Sequence, residues 1–71
     1  MSIVAINARN QFKGKVVDIV IGPVVSEVVV GTQLGTVTSV ITTRSIKELG
    51  LEIGSEVLAL IKSTEVAIAK L

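Results

Sequence analysis

The 71-residue sequence predicts an all-β fold: a small Greek-key barrel of five body strands, one short helix between the third and fourth, and an N-terminal pairing segment. Three observations predict it. β-branched residues run in short blocks, at Gly14–Ile21, Val24–Val30, Thr36–Thr43, Glu56–Ile61 and Glu65–Ala69. Turn residues separate those blocks, most clearly Gly22-Pro23 and the pair Gly31 and Gly35. A single stretch, Thr42–Gly50, reads as helix with its own start and stop signals.

Met1–Ala8 alternates loosely and reads as a terminal strand whose expected partner is a neighbouring copy, because an unpaired apolar edge is a liability. Arg9-Asn10-Gln11 then breaks the apolar run. Pro23 has no N–H to give a ladder, so the first turn falls at Gly22-Pro23. In the second strand Ser26 and Glu27 fall on opposite faces. Gly31–Gly35 is predicted as a loop, followed by a third strand with Thr36, Thr38, Val40 and Thr42 on one side. Ser45 followed by Glu48 has the spacing of a capping box, so Ser45 is predicted to cap a helix over Ile46–Leu49. Gly50 supplies the left-handed stop. Leu51 and Ile53 are predicted to plug the barrel end, and Lys62-Ser63-Thr64 to join the last two strands. This is the arrangement of an oligonucleotide/oligosaccharide-binding (OB) barrel, although the spacing also admits a partly open sheet.

Composition argues that the chain does not stand alone. Residues 1–71 make one small domain, and domains of about 60 residues are marginal unless stapled or assembled. Cysteine and histidine are both absent, which removes disulfides and the usual zinc or iron staples. The remaining device is oligomerisation. Apolar residues make up 49% and charged residues 18%, an excess of apolar surface that copies of the chain would bury against one another. The longest apolar run, Val57–Ile61, falls far short of the roughly 20 residues of a membrane span. No secretory leader pattern is read at the start, so the expected compartment is the cytoplasm, with no membrane partner.

Catalysis is not supported. The carboxylates Asp18, Glu27, Glu48, Glu52, Glu56 and Glu65 are scattered singly, with no histidine or cysteine to pair with them. A nucleic-acid-binding barrel is the rival reading, but it needs basic residues interleaved with aromatics. A net charge of +1 and one aromatic residue, Phe12, argue against it. A purely structural assembly domain is the third reading, which expects no ligand. What the chain does offer is hydrogen-bond donors at the breaks between strands: Asn7-Ala8-Arg9-Asn10, Thr42 with Ser45, and Lys62-Ser63-Thr64. Helix-start and turn N–H groups add to them, a set suited to a small tetrahedral oxyanion. Each also has a plain explanation: Ser45 as a cap, Arg9 as a surface charge, Lys62-Ser63-Thr64 as a polar turn.

Several separated motifs keep the order and spacing of one family. Met1-Ser2-Ile3, Asn7–Gly14, Thr42-x-x-Ser45 leading into Lys47–Leu51, and Ile61–Val66 together resemble the molbindins, or Mop proteins. The resemblance spans essentially the whole chain. It implies an OB-like barrel assembled as a homohexamer, a trimer of dimers. Molybdate or tungstate would be held between subunits for storage or buffering, with no metal directly coordinated by side chains. Carried over by residue, Asn7, Ala8 and Arg9 line one class of interface site, Thr42 and Ser45 contribute near the helix start, and Lys62 and Ser63 come from the final hairpin. Asn7 stands where the family usually has serine, and Arg44 where it often has an acidic or small residue.

The chemistry of the anion fits a donor-only site. Molybdate and tungstate carry no proton at neutral pH. Phosphate often keeps one, which would lie unsatisfied among donors at a cost of about 1–3 kcal/mol. Sulfate passes the same test, and only cavity size excludes it.

Overall fold

The computed structural model describes residues 7–71, so the part of the predicted N-terminal strand at residues 1–6 lies outside the described residues. Among the described residues four strands form one antiparallel sheet: β1 (Asn10–Val20), β2 (Val25–Thr32), β3 (Gly35–Thr42) and β4 (Glu56–Ile61), in the spatial order β3-β2-β1-β4. One helix, α1 (Thr43–Leu49), lies between β3 and β4.

The long first strand makes the sheet curl. Its first half pairs with β4, from Asn10↔Ile61 to Lys15↔Glu56, and its later part pairs with β2, from Gly14↔Thr32 to Val20↔Glu27. A bulge between Val16 and Asp18 bends the strand where it changes partner. The backbones approach so closely there that a Cβ on Gly14 would run into the carbonyl oxygen of Gly31. Beyond the β4 ladder, Val16 continues to the turn ahead of it, donating to Ser55 O at 3.0 Å and accepting from Gly54 N at 2.8 Å.

Alternation then sorts the side chains. Val16, Val28, Val30 and Ile46 form the buried core, with Ile19, Ile41, Leu51 and Val57 packed around it. Ser26 and Glu27 do lie on opposite faces, the first buried and the second exposed. The β2–β3 connection is tighter than the predicted five-residue loop, because Thr32 pairs with Gly35 and only Gln33-Leu34 remain between the strands. The Thr32 hydroxyl fastens this turn, donating to Gly35 O at 2.7 Å and accepting from Leu34 N at 3.2 Å. Asn10 and Gln11, predicted to break the apolar run, instead begin β1.

The helix starts earlier than the capping-box reading places it. Thr42, the last residue of β3, is the N-cap, its hydroxyl accepting from Ser45 N at 3.0 Å. Thr42-x-x-Ser45 has the same spacing as Ser45-x-x-Glu48, and β3 delivers Thr42 to the helix start in the extended conformation a cap requires. Glu48 is thereby left to pair with Arg44. Gly50 ends the helix in the left-handed region, φ 64° and ψ 37°, as its position predicts. Of the two predicted plug residues, Leu51 packs against the core while Ile53 is 62% exposed.

The predicted fifth strand does not form within the chain. Ser63–Glu65 makes one turn of 3-10 helix, with Glu65 N donating to Lys62 O at 2.9 Å, in place of a hairpin turn. That turn carries Val66–Leu71 onward with no strand to pair with among the described residues, and Ile68 is left 89% exposed. The sheet is therefore half-open, a curled four-stranded OB-like sheet and not a closed five-stranded barrel. A groove of about 450 Å³, lined by Val30, Val37, Ile41, Leu51, Val57 and Ala59 among others, fills the gap.

Candidate functional site

The donors predicted from the sequence gather at two places. The first lies where β1 begins and β4 ends. The Asn10↔Ile61 pair closes this ladder, reinforced by Asn10 Nδ2 donating to Ile61 O at 3.1 Å. Arg9 and Lys62 are the residues just beyond that pair, so the sheet register brings them to the same end of the β1–β4 ladder. Ser63 follows Lys62 into the 3-10 turn. Ala8 is buried, its carbonyl accepting from Gln11 Nε2 at 2.9 Å, which fixes the backbone that presents exposed Asn7 and Arg9 on either side. Lys62 and Ser63 are exposed too, and among the described residues neither Arg9 nor Lys62 is in an ion pair.

Thr42 and Ser45 make up the second place. Their hydroxyl oxygens are 2.7 Å apart, and Thr42 Oγ1 also accepts the Ser45 backbone N–H. Two hydroxyls sharing one hydrogen bond spend one proton between them, whichever donates. One O–H therefore remains to point outward. The next residue behaves differently. Thr43 donates its hydroxyl proton to Gly22 O at 2.7 Å, so at the 2.7 Å contact with Ser26 it is Ser26 that donates. Ser26 Oγ in turn accepts from Gly22 N at 3.1 Å. This ring is closed, its serine 3% exposed, and no proton is left over. It ties the start of α1 to the β1–β2 turn, with Thr43 N donating to Val24 O at 2.9 Å as a further strut.

Ser26 and Thr43 are the residues that sequence reasoning missed. Their signal was a serine on the inward side of a strand otherwise made of valines, facing one of two consecutive threonines.

The two places do not meet within one chain. Arg9 precedes the first residue of β1, whereas Thr42 pairs with Val25, beyond the Val20↔Glu27 pair at the other end of that strand. The 11 residues of β1 separate them. That is on the order of 30 Å along a straight strand at about 3.3 Å per residue. One end thus has cations and the other hydroxyls. Chemically, both ends mainly donate hydrogen bonds. Neither holds a nucleophile beside a base, and no group of three or more metal-ligating side chains occurs among the described residues.

Comparison with known proteins agrees with this fold. Residues 6–68 match the TOBE domain family. Molybdenum-pterin-binding protein 3 of Clostridium pasteurianum is 51% identical over 65 residues, covering 90% of this chain and 96% of the relative. A solved molybdate-binding protein from Sporomusa ovata superposes with a TM-score of 0.89 at 33% identity, over 94% of this chain and all of the other. The cytoplasmic molybdate-binding protein ModG, solved with molybdate bound, gives a TM-score of 0.79 at 38% identity, over 83% of this chain and 43% of the longer ModG chain. The chain belongs to the TOBE-domain family, among its small Mop proteins.

Proposed function

We propose that residues 1–71 act as a single binding domain of the cytoplasm that holds molybdate or tungstate, without catalysis, at sites formed between copies of the chain. The family's members are binding proteins and not enzymes. The observation that carries the reading is the separation of the two donor sets along β1. Arg9 and Lys62 supply two positive charges to balance a dianion, and Ser63 and Asn7 stand beside them. At the other end Thr42 and Ser45 supply a hydroxyl proton but sit far from those cations. A dianion taken out of water needs both charge and donors around it. Only a second copy, bringing its Thr42–Ser45 rim against the Arg9–Lys62 end of the first, assembles such a set.

The open sheet supports self-association independently. The exposed tail Val66–Leu71 is rich in apolar residues and has no ladder partner among the described residues, while the groove between β3 and β4 is lined mainly by apolar residues of those two strands. A tail from a second copy fills that groove, closes the barrel and covers both surfaces. A hexamer arranged as a trimer of dimers is the assembly we favour. Native mass measurement together with elemental analysis of the purified protein tests the reading. The expected result is a multimer carrying molybdenum or tungsten after exposure to the anion. A monomer, or a multimer that takes up neither metal, would contradict it.

A further inference from the structure

We propose that the outer face of β1, β2 and β3 is a contact between two copies of the chain, packed face to face about a two-fold axis, with Glu27 of each copy paired to Lys15 of the other. The face is apolar where a free surface would be polar. Val17, Val20, Val25 and Val40 are 50%, 54%, 52% and 67% exposed. Val28 and Val30 point into the core, so Glu27 and Val29, which alternate with them in β2, point away from it. Cross-strand pairing sets Val20 and Val40 on either side of Glu27, while Val25 and Val29 flank it two residues along its own strand. A carboxylate is thus ringed by four valines. Covering those valines with a purely apolar or lipid surface would strand an unpaired charge, a strongly unfavourable burial. The occupant must bring a cation to the centre of the patch.

This chain carries one in the matching place. Three rows cross the face, two residues apart in β2 and β3: Val20–Glu27–Val40, then Asp18–Val29–Thr38, then Lys15–Gly31–Thr36. Val17, in the bulge, shares this face, since a Cβ on Gly31 would meet its Cγ1 at 3.0 Å. A two-fold axis along the middle row exchanges the outer two, so each copy lays its Glu27 row over the Lys15 row of the other. Opposite Glu27 then stands Gly31, which has no side chain, with Lys15 one strand over at about 4.8 Å. Lys15 is exposed and makes no ion pair with Glu56, its neighbour across the β4 ladder; Arg44–Glu48 is the one ion pair among the described residues. Asp18 lies in the middle row, its carboxylate accepting from Ile19 N at 2.9 Å, and in the pair it stands between Lys15 of its own copy and Lys15 of the other. The charge pattern is self-complementary, and carboxylates at its centre argue against an anionic membrane or a nucleic acid as the occupant. Neither the groove, the tail nor the ends of β1 take part, so this contact goes beyond the self-association proposed above.

The test uses the full chain, which has no cysteine of its own, with Val17→Cys beside the axis and Leu34→Cys at the β2–β3 turn as control. Face-to-face packing sets the two Val17 positions about 10 Å apart, within the span of a short bismaleimide, and carries the two Leu34 turns to opposite ends of the contact. Val17→Cys should crosslink copies, and Leu34→Cys several-fold less. In the Val17→Cys chain, Glu27→Lys or Lys15→Glu should lower the yield about five- to tenfold at low salt, because each turns two attractive pairs per contact into repulsive ones; combining them should restore it. All of these positions are exposed, so the changes spare the core. Absence of the Val17→Cys crosslink, an equal yield from Leu34→Cys, unchanged yields in the single charge variants, or no recovery in the combined one overturns the proposal. Uncrosslinked protein that instead sediments with vesicles of anionic phospholipid, and ceases to on Lys15→Glu, overturns it in favour of a membrane surface.

Discussion

Two consecutive threonines show how register decides the job of a hydroxyl. Thr42, last in β3, caps the helix and shares its remaining capacity with Ser45, while Thr43 turns inward and spends its proton on Gly22. The consequence is a clean pair of variants. Ser45→Ala keeps the backbone N–H that Thr42 caps, so it should weaken molybdate binding with little change in melting temperature. Thr42→Val should lose both, costing about 1 kcal/mol of stability through the cap as well as affinity. Thermal melts and binding isotherms on the same two proteins separate these outcomes, and a large loss of stability in Ser45→Ala would contradict the assignment of the cap to Thr42. Ser26→Ala leaves the Gly22 N–H without its acceptor in a buried site and should cost about 1–3 kcal/mol without touching the anion. The sequence shows a serine and a glutamate three apart ahead of an apolar residue; it does not show that β3 ends on Thr42, which only strand pairing decides.

At the scale of elements, local signals carried most of the fold. β-branched blocks and their Gly and Pro punctuation located all four strands, and Gly50 located the end of the helix. Gly31 and the segment Glu65–Ala69 were read wrongly for one reason, that their partners are not local. Gly31 looks like a loop residue, yet it pairs with Lys15 and Thr36 within the sheet. Glu65–Ala69 has strand alternation, but alternation says only that a segment suits a sheet and not that its own chain supplies one. The unpaired tail makes a prediction at this scale. Ile68→Asp, at an 89% exposed position, should leave the secondary structure of one chain intact while lowering the assembled mass. Sedimentation velocity reads the outcome; an unchanged assembly would show that the tail is not what joins the copies. Gly50→Ala, at φ 64°, should lower stability in thermal melts without altering assembly. The strain of a Cβ in that region amounts to about 1 kcal/mol.

For the whole molecule, the core is small. Val16, Val28, Val30 and Ile46 are its buried apolar members within the sheet and helix, while Val24, Val40, Leu34, Ile68 and Leu71 face outward. An isolated copy thus leaves much apolar surface in water, and the donors it carries are divided between the two ends of β1. The candidate residues were legible because each lies in a short motif, but their separation was not, since it depends on how β1 changes partners along its length. Binding and assembly should consequently be coupled: molybdate at about 100 times its dissociation constant should add about 2.7 kcal/mol per site to the stability of the assembled form. Complementation between two damaged chains tests the shared site most directly. One chain carries Arg9→Ala with Lys62→Ala, the other Thr42→Val with Ser45→Ala, and each should assemble alone with little molybdate bound. Co-assembled, they should regain molybdate, because some contacts join the intact Arg9 and Lys62 of one chain to the intact Thr42 and Ser45 of the other. Mixed assemblies that bind no more than the two parents would contradict a site built from two copies.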